Sequence, residues 1–320
     1  MLNREKKVEA RTSSDFVLIM GGLGFIGSHL TRKLLASGYR IRIFDKLYGS
    51  HDLVSDLADR VEILEGDIEK PEDAVNALED IDIVIDLIHT TVPGSSMLNP
   101  VYDIQSNIAS HVHWLKHLAD TEVKKVIYVS SGGTVYGIPR EIPITETHPT
   151  NPLSSYGITK LCIEKYVAMY SELYGIRHLI CRPSNVYGEG QRLNIGQGVI
   201  GVFLDRAMRC QPIEIWGNGE SKRDYLYVSD LVEAIATLLS YSGKEKVFNV
   251  STGKGYSVND IVRVIEENTT LDVHVHREPV RGFDVPENVL DNLLLSEQTG
   301  WKPGVDLQEG IRRVYGWMKK

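Results

Sequence analysis

The chain has 320 residues, 42% of them hydrophobic, enough to bury one large or two unequal domain cores. A net charge of −8, with no recurring basic cluster, excludes the electrostatic footprint of a nucleic-acid binder. No apolar run reaches the roughly 18 residues of a membrane helix, and Cys162, Cys181 and Cys210, with no C-x-x-C or His-rich spacing, indicate neither a disulfide framework nor a metal site.

The stretch Met1 to Ser14 mixes charges and lacks the apolar core of a secretory signal, so it reads as a mobile tail (1–14) on a cytoplasmic protein. Phe16 to Met20 is an apolar run that stops at a glycine, as a buried parallel strand does. Gly21-Gly22-Leu23-Gly24-Phe25-Ile26-Gly27 follows and opens a helix over Ser28 to Ser37. Strand, glycine turn and helix together form a dinucleotide cradle: Gly21, Gly24 and Gly27 permit close backbone approach, and the helix N-terminus presents free N–H groups to a diphosphate. The second strand, Tyr39 to Phe44, ends at Asp45, whose carboxylate can accept from both adenosine ribose hydroxyls and repels a 2′-phosphate. Lys46 beside it pulls slightly the other way. Val61 to Leu64 forms a third strand leading to Asp67 and Ile68, where Asp67 either meets the adenine amino group or simply opens the loop before the next helix.

Ile81 to Ile88 reads as the fourth strand, with a polar loop from His89 to Ser96 at its carboxyl end, where open α/β folds bind ligands. A helix from about Val101 to Asp120 carries Asn107, and Lys125 to Val129 is a fifth strand ending in the turn Ser130 to Gly137. After Pro149 and Pro152 a helix begins that places Tyr156 and Lys160 at i and i+4 on one face. A phenol of ordinary pKa near 10 needs an adjacent cation to act as a base at neutral pH. Ile176 to Cys181 closes a set of six strands alternating with helices, which is a doubly wound parallel sheet of the α/β class. Beyond Pro183 the rhythm changes. The expected division is a nucleotide-binding domain over 15–183, with a returning segment near 225–260 (Val247 to Asn249 as a strand, Tyr256 to Glu267 as a helix), and a smaller mixed α/β domain over most of 184–320.

These motifs, with Arg182-Pro183-Ser184-Asn185-Val186-Tyr187-Gly188 and Arg223-Asp224-Tyr225-Leu226-Tyr227-Val228-Ser229-Asp230, resemble the extended short-chain dehydrogenase/reductase superfamily. Within it the chain is most similar to NAD-dependent nucleotide-sugar epimerases of the UDP-glucose 4-epimerase type. The resemblance implies a Rossmann sheet, tightly bound NAD, a UDP-sugar substrate and a homodimer. Tyr156 would take the proton of the sugar 4-hydroxyl, and Lys160 would hold the NAD ribose and lower the pKa of Tyr156. Cofactor contacts are further expected at Phe25, Ile26, Ile68, Leu87, His89, Asn107, Ser130 and Pro183. Asn185, Arg223 and Arg281 would meet the diphosphate, and Thr91, Ser95, Ser131, Gly198, Val199 and Ile215 would complete the substrate site. Asn288 falls where a bulky or small residue gates the sugar pocket, and its modest size predicts turnover of an N-acetylated sugar. The helix-pairing surface of the dimer is expected to use His111, Trp114 and Leu118, a spacing equally suited to a core-facing helix.

Two departures stand out. The position where the family places a Ser or Thr hydroxyl near the reacting carbon is Gly132, so Ser131 or Thr134 must replace it, with Thr134 preferred. The strand-4 ending His-Leu-Ala-Ala is here Asp86-Leu87-Ile88-His89. Gly133 and Thr134 replace the Asp-Glu pair of a 4,6-dehydratase, which argues against that reaction. The alternatives are a UDP-glucuronate 4-epimerase, with Thr91, Ser95 and Ser96 around the carboxylate, or another nucleotide-sugar dehydratase or reductase, and, less favoured, a non-catalytic NAD sensor.

Overall fold

The computed structural model describes residues 15–46, 53–193, 198–279 and 285–320. The expected tail 1–14 and Arg281 lie outside the described residues.

Strand β1 (Phe16–Met20) lies inside the sheet between two parallel neighbours, and all five of its residues are buried. It is followed by α1 (Phe25–Ala36), β2 (Arg40–Asp45), β3 (Glu62–Glu65), α2 (Pro71–Asn76) and β4 (Ile83–Asp86). Then come α3 (Pro93–Leu98), α4 (Pro100–Asp103), a π-helical segment over Ile104–Ala109, α5 (Ser110–Lys116) and β5 (Lys125–Val129). Helix α6 (Ser155–Tyr174) leads to β6 (Arg177–Pro183). Ser154 starts α6 by accepting from the Gly157 N–H at 3.2 Å, and Gly175 ends it in the left-handed conformation.

The remaining elements are β7 (Asn185–Tyr187), α7 (Val199–Met208), β8 (Ile213–Trp216), β9 (Lys222–Tyr227), α8 (Val228–Leu239) and β10 (Val247–Val250). The chain closes with β11 (Gly255–Ser257), α9 (Val258–Asn268), β12 (Val275–Glu278), β13 (Glu287–Asn288), α10 (Leu293–Thr299) and α11 (Leu307–Met318).

Seven strands form one parallel sheet in the order β10-β6-β5-β4-β1-β2-β3. The doubly wound sheet expected from the strand–helix alternation is therefore present, with β10 added beside β6. Alternate residues of each strand point to opposite faces, so Val17 and Ile19 pack with Leu30, Leu34 and Leu231 while Leu18 and Met20 pack with Trp114, Leu115 and Ile163. Each such fully buried side chain is worth roughly 1.5–3 kcal/mol. A smaller sheet gathers β7, β11 and β13 around β9, and β8 pairs with β12. Because β6 runs through Pro183 directly into β7, this second layer sits at the carboxyl edge of the main sheet.

Several boundaries move. The long helix expected over Val101 to Asp120 is interrupted by the π-helical segment, and the Tyr256 helix begins at Val258 after a short strand. His111, Trp114 and Leu118, expected on a dimer face, are at most 1% exposed. They are core residues, because α5 lies flat on the sheet; the exposed apolar residues of this region lie elsewhere.

Candidate active site

The glycine turn is shaped for close approach. Gly21 has φ 85°, a left-handed conformation that suits glycine. A Cβ on Gly27 would lie 2.2 Å from the Gly21 carbonyl oxygen, so α1 rests directly on the turn. No side chain caps the start of α1 at Gly24, which leaves its first N–H groups for an anion. Asp45 closes the cradle: one carboxylate oxygen accepts from the Leu23 N–H at 3.0 Å and the other from the Lys46 N–H at 2.8 Å. Burial pushes its carboxyl up, opposed by those two bonds. The Lys46 ammonium lies 2.8 Å from Asp67 and 3.1 Å from Glu69, so its charge is answered there. Ile68 is 2% exposed and packs into the core on the α2 side of the sheet. An uncapped helix N-terminus beside a half-buried carboxylate fits a dinucleotide without a 2′-phosphate.

Next to this cradle is a cavity of about 550 Å³. Phe25, Ile26 and Leu87 wall it on the α1 side, Ser130, Ser131, Tyr156 and Lys160 at the β5–α6 junction, and Pro183, Asn185, Gly198, Val199 and Arg223 on the second layer. Tyr187 and Tyr225, which lie within the quoted motifs, and Gln191, which lies outside them, also line it. Ser130 is turned away to a Glu164 oxygen at 2.5 Å, while Glu164 is also clamped by Arg182 at 2.6 Å. Ser131, the next residue, is left facing the cavity. Lys160 donates to the Val129 carbonyl at 2.8 Å, with its nitrogen 6.0 Å from the Tyr156 ring centroid. Burial lowers Lys160 to about 8 against the pull of Asp86 and Glu164. Burial, and after it the Asp103 charge, push the Tyr156 phenol well up.

Asp103 is the hub the sequence does not announce. Fully buried, its carboxylate receives Thr91 Oγ1 at 2.5 Å, Asn107 Nδ2 at 3.0 Å, Ser155 Oγ at 2.6 Å and Thr159 Oγ1 at 3.2 Å, with His89 Nε2 at 3.5 Å. Burial alone would raise it; the hydrogen bonds bring it down to about 2. His89 stands edge-on to Tyr156 with ring centroids 4.5 Å apart, and burial together with Lys160 lowers it to about 3, so it is neutral. Ser96 accepts from the Tyr156 backbone N–H at 3.0 Å. The readable signal is the spacing of Asp103, Asn107 and His111, a polar i, i+4, i+8 line where a core-facing helix should be apolar.

Other expected residues lie apart from the cavity. Asn107 is fully buried and accepts from the Thr90 N–H at 2.9 Å, so it holds the loop after β4. Ser95 is exposed and turns back on Val92. Ile215 is 1% exposed in the hydrophobic core, because β8 pairs with β12 away from the cavity. Thr134 does not line the cavity: the turn starting at Ser131 carries it underneath, so Ser131 and not the preferred Thr134 supplies the exposed hydroxyl. Asn288 does not line it either; it is 1% exposed and donates to the Gly132 carbonyl at 3.4 Å. Gly132 has no room for a side chain, since a Cβ there would fall 2.3 Å from Leu290 Cδ1 and 3.0 Å from the Arg182 carbonyl oxygen.

Fold and cavity together define a dinucleotide-dependent enzyme of the extended short-chain dehydrogenase/reductase class. The chain belongs to the NAD dependent epimerase/dehydratase family, which residues 17–251 match. Over 304 residues it is 36% identical to a putative UDP-glucose 4-epimerase of Methanocaldococcus jannaschii, covering 95% of this chain and 98% of the relative. It is 32% identical to a dTDP-4-dehydro-6-deoxyglucose reductase of Escherichia coli, covering 93% and 96%. Among solved structures it is similar to UDP-glucose 4-epimerase of Thermotoga maritima with UDP-glucose (33% identity, TM-score 0.89, 95% and 98% covered). It is also similar to the Thermus thermophilus enzyme with NAD (30%, 0.87, 95% and 99%). A third is UDP-N-acetylglucosamine 4-epimerase of Methanobrevibacter ruminantium in complex with UDP-N-acetylmuramic acid (28%, 0.89, 96% and 98%).

Proposed function

We propose that the protein inverts C4 of a UDP-hexose, interconverting UDP-glucose and UDP-galactose or their N-acetylated counterparts. The observation that carries this reading is one cavity in which Tyr156, Lys160 and Ser131 lie between the glycine cradle and the pair Asn185 and Arg223. Arg223 and Asn185 bind the diphosphate, and this remote binding energy holds the sugar end through the reaction. The Gly21 to Gly27 turn and Asp45 would hold NAD, which would supply a reversible hydride acceptor for C4. Tyr156 removes the 4-hydroxyl proton and later returns it, Ser131 donates to the C4 oxygen, and Lys160 supports the phenolate electrostatically. The support for N-acetylated substrates is the Methanobrevibacter relative; the size of Asn288 no longer bears on it.

A UDP-glucuronate substrate is disfavoured. Thr91 already donates to Asp103, Ser95 faces solvent, and the Asp103 charge repels a second carboxylate. A 4-keto reductase is the second reading, supported by the Escherichia coli relative.

Incubation with a panel of UDP-sugars without added NAD, followed by NMR of the products, separates these. Epimers without external cofactor support the epimerase with retained NAD. Turnover only of a 4-keto sugar with stoichiometric NADH supports the reductase, and no product from either overturns both.

We also infer a cytoplasmic homodimer serving polysaccharide synthesis, organised as a nucleotide-binding domain and a smaller substrate domain divided near Pro183. Leu98, Val101, Ile158, Met169 and Leu173 are 42–88% exposed along α3, α4 and α6, a patch suited to a second copy.

A further inference from the structure

Helix α6 lays Tyr156, Lys160 and Glu164 along one face at i, i+4 and i+8. Tyr156 and Lys160 line the cavity, and Glu164, one turn further on, does not. The last two are tied to the sheet at successive residues of β5 and its turn. Lys160 donates to the Val129 carbonyl at 2.8 Å, and Glu164 accepts from Ser130 Oγ at 2.5 Å. Arg182 of β6 grips the same carboxylate bidentately, Nε to Oε1 at 2.9 Å and Nη2 to Oε2 at 2.6 Å. Ser130, Glu164 and Arg182 are at most 5% exposed.

This cluster has one orientation. A guanidinium only donates, and the carboxylate facing it only accepts. Arg182 Nη1 goes on to donate to Tyr136 Oη at 3.0 Å, Tyr136 donates to Asn249 Oδ1 at 2.7 Å, and Asn249 Nδ2 donates to the Ile144 carbonyl at 2.9 Å. Turning any member round strands a buried donor, which costs more than an ordinary hydrogen bond gains. The chain of bonds therefore sets α6 against β5, β6 and β10 at a single height and rotation.

The turn bearing Ser131 is pinned separately. The Ser130 N–H donates to the Cys181 carbonyl at 2.7 Å and the Gly132 N–H to the Pro183 carbonyl at 2.9 Å, so Ser131 is held on the frame of β6. Tyr156 rides on α6, and what registers α6 on that same frame is the Glu164 carboxylate. Stability alone does not account for a buried ion pair at this place, because an apolar pair of similar volume commonly serves a fold as well.

We propose that Glu164 is a positioning residue: through Ser130 and Arg182 it registers α6 on the β5 turn, and so sets the separation of Tyr156 from Ser131. The proposal rests on the reading of those two as groups that meet the reacting carbon. A transition state needs both in place at once, and a misplacement of about 1 Å costs on the order of 100-fold in rate.

The test is the double variant Glu164→Leu with Arg182→Met, which removes both charges together and leaves no uncompensated charge buried. It should melt close to the wild type, with kcat about 100-fold lower and KM little changed. Unchanged kcat, a loss confined to KM, or a melting temperature far below that of the wild type overturns the proposal, the last by making the pair a device of stability. Fluorine NMR of fluorotyrosine-labelled protein reads the geometry without turnover. With the Tyr156 signal assigned by its absence in Tyr156→Phe, that signal should move in the double variant while the Tyr315 signal, from α11, stays in place. A moved Tyr156 signal in a protein that converts no sugar upholds the positioning role and refutes the epimerase; an active enzyme whose double variant keeps both its kcat and its signal does the reverse.

Discussion

Ser131 and Thr134 carry the same functional group in different surroundings. Ser131 faces the cavity, whereas the Thr134 hydroxyl is buried below the turn with no hydrogen-bond partner among the described residues. Ser131→Ala should lower kcat about 100-fold with little change in KM, as loss of a donor to developing charge does. Thr134→Ala should leave kcat nearly unchanged; steady-state kinetics on the two variants decides between them. Gly132→Ser places a hydroxyl where the family resemblance expects one, and it should fail. Its Cβ would collide with Leu290 and with the Arg182 carbonyl, so the variant should melt lower and turn over no faster, as thermal denaturation and rate assays would show. The sequence makes the missing hydroxyl plain at Gly132, and it cannot show why glycine is required. The obstructing residues come from β6 and from just past β13, with Asn288 contacting Gly132 across a separation of 156 residues.

At the scale of elements, the strands and the glycine turn were legible because buried parallel strands are continuous apolar runs and glycine punctuates them. The helix carrying Asn107 was harder to read. Its π-helical segment, Ile104–Ala109, aims Ser106 and Asn107 at the loop after β4, where Ser106 Oγ lies 2.6 Å from Thr90 Oγ1. Such a segment has no local sequence code and often marks a functional site. Asp103, just before it, ties α4, α6 and that loop together. Asp103→Asn should lower the melting temperature and weaken activity, since it breaks a carboxylate saturated by buried donors. The pH dependence has a definite sign. With the folded value held at about 2, below the usual carboxylate range, the stabilisation is complete above about pH 4 and lost as pH falls through about 2. Its size is on the order of 2 kcal/mol. Acid unfolding followed by circular dichroism should therefore show a steeper loss in wild type than in Asp103→Asn.

For the whole molecule, the exposed apolar stripe on α6 bears on assembly. Leu173 is 68% exposed and Met169 42%. Light scattering should report a dimer, and Leu173→Glu should shift it to monomer without unfolding; a wild-type monomer would remove the interface. The sequence spacing that selected His111, Trp114 and Leu118 could not separate a face that meets the sheet from one that meets another subunit, since both are apolar stripes on one helix.

The plug above Gly132 bears on the order in which the molecule is made. Every side chain proposed to touch the sugar nucleotide precedes Leu290 in the chain, and Leu290 bridges Ile144 and crowds the Gly132 turn. A growing chain thus exposes its reactive residues long before the segment that seats them emerges. The nascent protein can fold its central sheet and glycine turn from local pairings, but the turn bearing Ser131 must wait for one of the longest-range contacts in the molecule. Activity should then appear as a late, single step of synthesis, after most of the fold is already formed.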